Sequence, residues 1–462
     1  MRVRSGVLAA ALVVVAVTVV PLADFALTRP ATERNGPGER VASGLRAFPG
    51  AMGFGAATPG GRGGRVLRVT NLDDSGRGSL RAAVEAKGRR TVVFRVAGTI
   101  TLRSRLTIEN PYISVLGQTA PGEGITLRIS RRVDTQAVKV ETHDVVIRYL
   151  RFRPGPDAGN GEDALTVEDT AAHDVIIDHC SLSWAVDEVL SVYTGSRRVT
   201  VQNSIVSEAL SNANHEQGEH SKGMLAGGSG THDVSILRNL FVSNVDRNPQ
   251  VSGVSVADVR NNVVYNFADG SGDGVTLVSS SNGDPDVNWV GNYYKPGPDS
   301  DRRRAEFATY VGDGATHRFY ARGNVRWTPT GVRAARIDED AIGRRHSSFA
   351  VPRTATLPAV KAYARVLRTA GASRNRDAVD VRLVREVREG AGSIIDHPSE
   401  VGGWPILASG KPYADPDKDG MASAWERRHG TKPRRADASG DVDGDGWTNI
   451  EEFANLRARV LG

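Results

Sequence analysis

Asp415-Pro-Asp417-Lys-Asp419-Gly420 is followed by Glu426 at the twelfth place counted from Asp415, and Asp441-Val-Asp443-Gly-Asp445-Gly446 by Glu452 at the same place. Alternating carboxylates, a turn glycine and a closing acid offer a hard divalent cation the oxygen ligands it prefers, so both stretches read as calcium loops. Helices are expected after each, over Ala422–His429 and Thr448–Leu456, with none ahead of the first loop. His215 and His220 are five residues apart in a glycine-containing loop, which is not the helical i, i+4 pair of a zinc protease. They read as imidazoles that touch a ligand. In Asp178-His179, neighbouring strand residues should face opposite ways, so the Asp is expected to be structural. The single cysteine, Cys180, allows no internal disulfide and reads as a small buried hydrophobe.

The frame that must hold these groups shows in a repeated strand pattern. Val145, Val175, Val199, Val234, Ala257, Val287 and Phe319 each begin a unit with a second, mostly apolar residue two places on. Five places on, the column reads Leu150, Cys180, Ser204, Asn239, Asn262, Asn292, Asn324. A fixed strand motif at irregular intervals is the mark of a solenoid with one regular face and variable loops. Strands stacked in parallel bring equivalent residues to about 4.8 Å, so asparagines can hydrogen-bond from turn to turn. The fold expected is all-β, a right-handed parallel β-helix with one such strand per coil. The pattern fades after Trp327, and helices are expected near Ala359–Thr369 and Ala378–Arg388.

Net charge is +6, from 59 Lys and Arg against 53 Asp and Glu. Such an excess suits nucleic acid or an acidic polysaccharide. No nucleic-acid motif is present, and the N-terminus argues for export: Arg2 and Arg4 precede an apolar run from Val7 to Val20, short for a membrane span. Residues 1–27 are read as a signal peptide or a retained anchor, 28–45 as a linker, 46–410 as the solenoid and 411–462 as the calcium-loop module. Within the second part, a Gly-rich lead-in feeds a strand at Val66–Thr70, a short helix capped by Ser79, and strands around Val92–Val96 and Ile100–Leu102. That helix is expected to close the open end of the solenoid.

The segments AFPGAMGFG, VTNLDDSGRGSLRAAV, VVFRVAGTI, VLGQTAPGEGITL, VVIRYLRFRPG, VIIDHCSLSW and DRNP, in order between Ala47 and Pro249, resemble the pectate lyases of polysaccharide lyase family 1. The resemblance implies calcium-dependent β-elimination on polygalacturonate, in a groove outside a parallel β-helix, by a secreted monomer. It implies that Arg247 is the base, that Lys222 binds substrate, and that Asp163 and Asp187 hold calcium. Arginine is a poor base unless its surroundings favour the neutral form. Where relatives carry a second arginine after the first, this chain has Gln250, Val251 and Ser252, so that carboxylate contact is either missing or made from elsewhere, with Arg238 and Arg260 the candidates. Where they carry a further acid, it has Ser191. If Leu190 and Val192 face the core, Asp187 faces outward and Glu188 inward or onto a bend, which makes Glu188 the poorer ligand. The tail is similar to the loop–helix calcium repeats of dockerins and thrombospondin-type modules, which implies stapling by calcium or attachment to a surface or protein partner. Two other classes remain compatible with the ladder. A non-catalytic carbohydrate-binding β-helix would not need Arg247, and a polygalacturonate hydrolase would need paired acids and commonly a Gly-His-Gly segment, which is absent.

Overall fold

The computed structural model describes residues 44–130, 136–156, 163–267, 275–310, 316–338 and 341–458. The signal or anchor expected over 1–27 lies outside them, as does all but the end of the linker. The described chain winds into a parallel β-helix. Among the described residues three sheets run along it, of ten, ten and eight strands. The first sheet runs from Arg65–Val69 to Arg318–Arg322, the second from Gly98–Leu102 to Gly331–Ala334, and the third from Leu106–Ile108 to Phe307–Tyr310. Each full coil therefore carries three strands where the sequence pattern displays one. The visible strand is that of the first sheet, and its register is the one the anchors predict: Val145, Val175, Val199, Val234, Ala257, Val287 and Phe319 pair in series. The other strands escape because many are only three residues long, too short for alternation to register.

The ladder forms as expected. Asn239 Nδ2 donates to Asn262 Oδ1 at 3.2 Å, Asn262 to Asn292 at 3.1 Å and Asn292 to Asn324 at 2.9 Å. Each Oδ1 also accepts the backbone N–H of the residue one turn below, so buried amides are satisfied in both directions. Cys180 continues the column, buried, its thiol pushed up to about 12 by burial and hence unreactive. One residue earlier stands a column in left-handed backbone: Tyr149, His179, Asn203, Arg238 and Asn261 all have φ between 50° and 58°. This corner turns each strand of the first sheet into one of the second. It also puts His179 Nδ1 2.8 Å from Asp178 Oδ1, so the expectation that these neighbours face apart fails where the strand ends. Asp178 is structural all the same, buried and bonded by Arg148 Nε at 2.8 Å and Gln202 Nε2 at 2.7 Å.

Valine, isoleucine and leucine fill the solenoid interior, joined by Trp289, Phe307 and Phe319 toward its C-terminal end. Helix α1, Leu80–Val84, is capped by Ser79, whose hydroxyl accepts the Ala82 N–H, and buries Leu80 and Val84 against the first coils. The lead-in crosses the outer face of the first sheet, where Met52, Phe54 and Gly55 donate backbone N–H groups to Gln202, Ser235 and Thr200. A Cβ on Gly55 would sit 2.2 Å from the Val175 carbonyl oxygen, so the close approach requires glycine. Helices α2, Ala359–Thr369, and α3, Ala378–Glu389, cover the second sheet, burying Val366, Leu383 and Val387 against Ile205, Leu240 and Val263. Arg153 reaches Asp380 at 2.8 Å and pairs with Asp377 as well, which locks this layer in place. The chain then returns to the start of the solenoid. Helices α4, Ser423–His429, and α5, Asn449–Ala458, pack Trp425, Ile450 and Phe453 on Val93. Among the described residues no helix is long and apolar enough to cross a membrane.

Candidate functional site: an ionic groove on the third sheet

The third sheet begins its strands with charge. Glu188 pairs with Lys222 on the next rung, and Lys222 bridges to Asp246 on the one after. Leu165 pairs with Leu190, so Asp163 lines up with Glu188 on the preceding rung. Four successive coils thus present acid, acid, base, acid along one edge, at a rung spacing of about 4.8 Å. Further along these strands Leu190, Val192 and Met224 face the core and fix the phase.

Arg247 follows Asp246 in left-handed backbone, φ 56°, an uncommon state for a non-glycine residue and one that concentrates at functional sites. The turn is held on both sides. Its N–H donates to Asp246 Oδ1 at 2.7 Å, and its carbonyl accepts the Met224 N–H at 2.7 Å. Asp246 Oδ2 accepts from Lys222 Nζ at 3.1 Å. The Arg247 guanidinium crosses two rungs to pair with Glu188. Glu188 was expected to face inward or sit on a bend. It is the first residue of its strand, where alternation is not yet established, and its carboxylate turns along the edge to meet Arg247 and to cluster with Asp163 and Asp187. Glu188 is thus the site residue that strand phase missed.

Carboxylate oxygens of Asp163, Asp187 and Glu188 lie within 4.8 Å of one another. Burial and the Asp187 charge push the Asp163 carboxyl up to about 7, although Thr166 donates to it at 2.7 Å. Burial pushes Asp187 the same way, but the hydrogen bond and charge of His220 outweigh it and hold Asp187 below its ordinary value. His220 Nε2 is 2.6 Å from Asp187 Oδ1 and His215 Nε2 is 3.9 Å from it, with the two imidazoles stacked at 3.6 Å. The two histidines singled out in the sequence are thus placed together on Asp187. Burial and the neighbouring His220 push His215 down, toward the neutral ring.

Arg238 and Arg260 do not join this groove. Arg238 stands at the corner between the first two sheets, and Arg260 ends a first-sheet strand in an ion pair with Asp258 at 3.0 Å. The third sheet is where the groove lies, so neither replaces the missing arginine.

The tail loops make a second acidic region. Asp415, Asp417 and Asp419 converge, as do Asp441, Asp443 and Asp445. The structure adds Asp437, which joins Asp419 and Glu426 across the inter-loop segment. Glu426 is fully buried, and among the described residues neither of its oxygens has a hydrogen-bond partner. Burial and the surrounding aspartates push it up to about 7. Glu452 is pushed up as well, by burial and then by Asp443 and Asp445.

Fold and site together define a parallel β-helix protein with an open, mixed-charge groove along one sheet. The chain is 37% identical over 423 residues to "Probable pectate lyase C" of Aspergillus flavus, covering 89% of this chain and 94% of that one. It is 37% identical over 419 residues to the protein of the same name from Neosartorya fischeri, with 89% and 93% covered. Solved structures that align include the cedar pollen allergen Jun a 1 (TM-score 0.48, 18% identity, 70% of this chain, 92% of that one) and a Bacillus pectate lyase in complex with trigalacturonate (TM-score 0.47, 17%, 70%, 98%). No family model matches the chain. On the strength of its curated relatives the chain belongs to the pectate lyase family.

Proposed function

We propose that the protein is a secreted lyase that cleaves polygalacturonate by β-elimination with the help of calcium. The observation that carries this reading is Arg247, held in left-handed backbone and aimed across two rungs at a three-carboxylate cluster. Asp163, Asp187 and Glu188 supply oxygen ligands close enough to share one cation, and uronate carboxylates would complete a shell that calcium fills with six to eight oxygens. When bound there, calcium would neutralise the substrate carboxylate next to C5 and take up the Glu188 charge that otherwise stabilises protonated Arg247. Arg247 accepts the C5 proton, the C5 electron pair forms the C4–C5 double bond, and the C4–O bond breaks with its electron pair on the leaving sugar's oxygen, which takes a proton from solvent. Lys222, fixed by Asp246, offers an ammonium to a substrate carboxylate, and His220 orients Asp187.

The tail fits calcium on separate grounds. A buried carboxylate with no partner is costly, and a cation shared among Asp415, Asp417, Asp419, Glu426 and Asp437 removes that cost. Asp441, Asp443, Asp445 and Glu452 form the second, more exposed loop. Because α4 and α5 pack on Val93, calcium there fastens the tail to the first coils.

Purified protein given polygalacturonate with and without calcium decides the matter. Ultraviolet-absorbing unsaturated product that appears only with calcium is expected. Chain shortening without that absorbance would identify a hydrolase, and binding without cleavage a carbohydrate-binding β-helix.

A further inference from the structure

The groove lies beyond the ends of the second-sheet strands. At their other edge, where the first sheet turns into the second and residues 353–369 cross, a cavity of about 480 Å³ opens. Its size falls in the range that takes a small ligand. Arg46, Arg148, Arg238, Arg353 and Arg365 line it, and Asp178 is the one carboxylate among its lining residues. That carboxylate is already satisfied, by Arg148 at 2.8 Å, Gln202 at 2.7 Å and Asn203 at 3.1 Å, with the His179 ring 2.8 Å away. Arg148 is committed in turn, its Nη1 donating to Asn455 at 2.8 Å and its Cζ lying 3.6 Å from the centre of the Phe48 ring.

Arg238 and Arg365 stand differently. Arg238 is 9% exposed and donates from Nη2 to the Ala355 carbonyl at 2.8 Å. Burial, and then the positive charge of Arg365 on α2, push it down to about 10. Arg238 is nearly buried and Arg365 is exposed, so the two guanidinium groups stand on the wall and at the mouth of a cavity whose lone lining acid is neutralised. A planar anion that accepts two parallel N–H bonds offsets their charge, and a carboxylate matches the guanidinium fork.

We infer that this cavity binds the carboxylate of a uronate, a second anchoring point for acidic polysaccharide across the second sheet from the groove. The inference rests on the function proposed above for its choice of ligand. Its test is calorimetric titration of trigalacturonate, with calcium, into full-length Arg247→Ala protein, which does not consume the ligand. A groove site and a second site are expected, and adding Arg365→Gln or Arg238→Gln should weaken only the second, on the order of tenfold. Arg365→Gln should melt no lower than its parent, since it removes a like charge, and in the otherwise wild-type chain it should leave turnover of polygalacturonate unchanged. Trigalacturonate binding that neither substitution alters would overturn the inference. Loss of the groove site alone, with the Arg365-dependent site kept, would instead count against the proposed function. Inorganic phosphate at matched ionic strength is the competing probe, and phosphate binding more tightly than trigalacturonate would assign the cavity to a free oxyanion and overturn the uronate.

Discussion

The groove and the tail both gather carboxylates, and they differ in what the protein itself supplies to balance them. In the groove each acid has a partner of its own: Thr166 for Asp163, His220 for Asp187, Arg247 for Glu188. In the first tail loop Asp415 leans toward Arg68 and Arg95 at 3.7 and 3.9 Å, but Glu426 is buried among aspartates alone. A cluster with built-in partners is stable without a cation and exchanges those partners when cation and substrate arrive. That is what a site of turnover requires. A cluster whose buried Glu426 lacks one is stabilised by a cation at the pH where that acid ionises, which suits a structural clip. The first expectation is therefore that groove substitutions change rate and affinity, while tail substitutions change stability.

The largest effect should come from the groove. Arg247→Ala is expected to lower turnover by about 10²–10⁴-fold, the range of a lost general base, while binding of polygalacturonate stays within a few-fold. Release of unsaturated product measures the first and calorimetry the second. Arg247→Lys should recover little, because an ammonium does not reproduce the planar fork. Folded Arg247→Ala protein with near-normal rates would remove the base from the mechanism. Asp187→Ala should act less and otherwise, weakening calcium-dependent substrate affinity by about 10–100-fold, with part of the rate restored at high calcium. A rate that no calcium concentration restores would place Asp187 in the chemical step instead.

The tail should respond in melting temperature. Glu426→Gln keeps the shape of the side chain but removes the closing carboxylate of the first loop, so one calcium fewer should bind and the calcium-dependent rise in Tm should shrink. Turnover of soluble substrate should hold within about twofold, because α4 and α5 rest on Val93 of the first sheet and not on the groove. Removing the whole tail is a harsher test than its position in the chain suggests. It uncovers Val93 and takes from Arg148 its bond to Asn455. A Glu426→Gln protein that melts normally in calcium yet loses activity would erase the division between the two regions.

How much of this was legible depended on how regularly each residue recurs. The seven first-sheet anchors and the asparagines five places on were readable because stacking enforces one register on all of them. The tail loops were readable because their acids alternate at the spacing a calcium ion would require of its ligands. Arg247 and Lys222 carry no such local signature, and only resemblance pointed to them. Glu188 was passed over because strand phase was extended to a residue where the strand has only begun. Asp437 lies outside both loop patterns, and nothing but the folded chain brings it to Glu426. The left-handed corner held by Tyr149, His179, Arg238 and Asn261 has too varied a composition to show as a motif, although Asn203 and Asn261 suit it.

The finest discrimination between the regions is in pH. Asp419 and Glu426 are raised from 3.8 and 4.5 to about 6 and about 7, first by burial and then by neighbouring aspartates. Folded protein therefore holds these protons more tightly than unfolded protein does. Their contribution to calcium-free stability is fully present below about pH 4 and is lost as pH rises through 6 to 7. Calcium reverses the trend, because it needs the ionised carboxylates and binds better as pH rises. In chelator, Tm should fall between about pH 5 and pH 8, and in calcium it should hold or rise. Asp163, also raised to about 7, contributes with the same sign from the groove, so the assignment rests on the difference between proteins. Glu426→Gln cannot ionise there and should show a shallower fall in chelator than wild type, while Asp187→Asn should leave the tail's share of the slope in place. Equal slopes for wild type and Glu426→Gln would mean that the buried glutamate does not titrate with folding, and the clip would lose its main physical support.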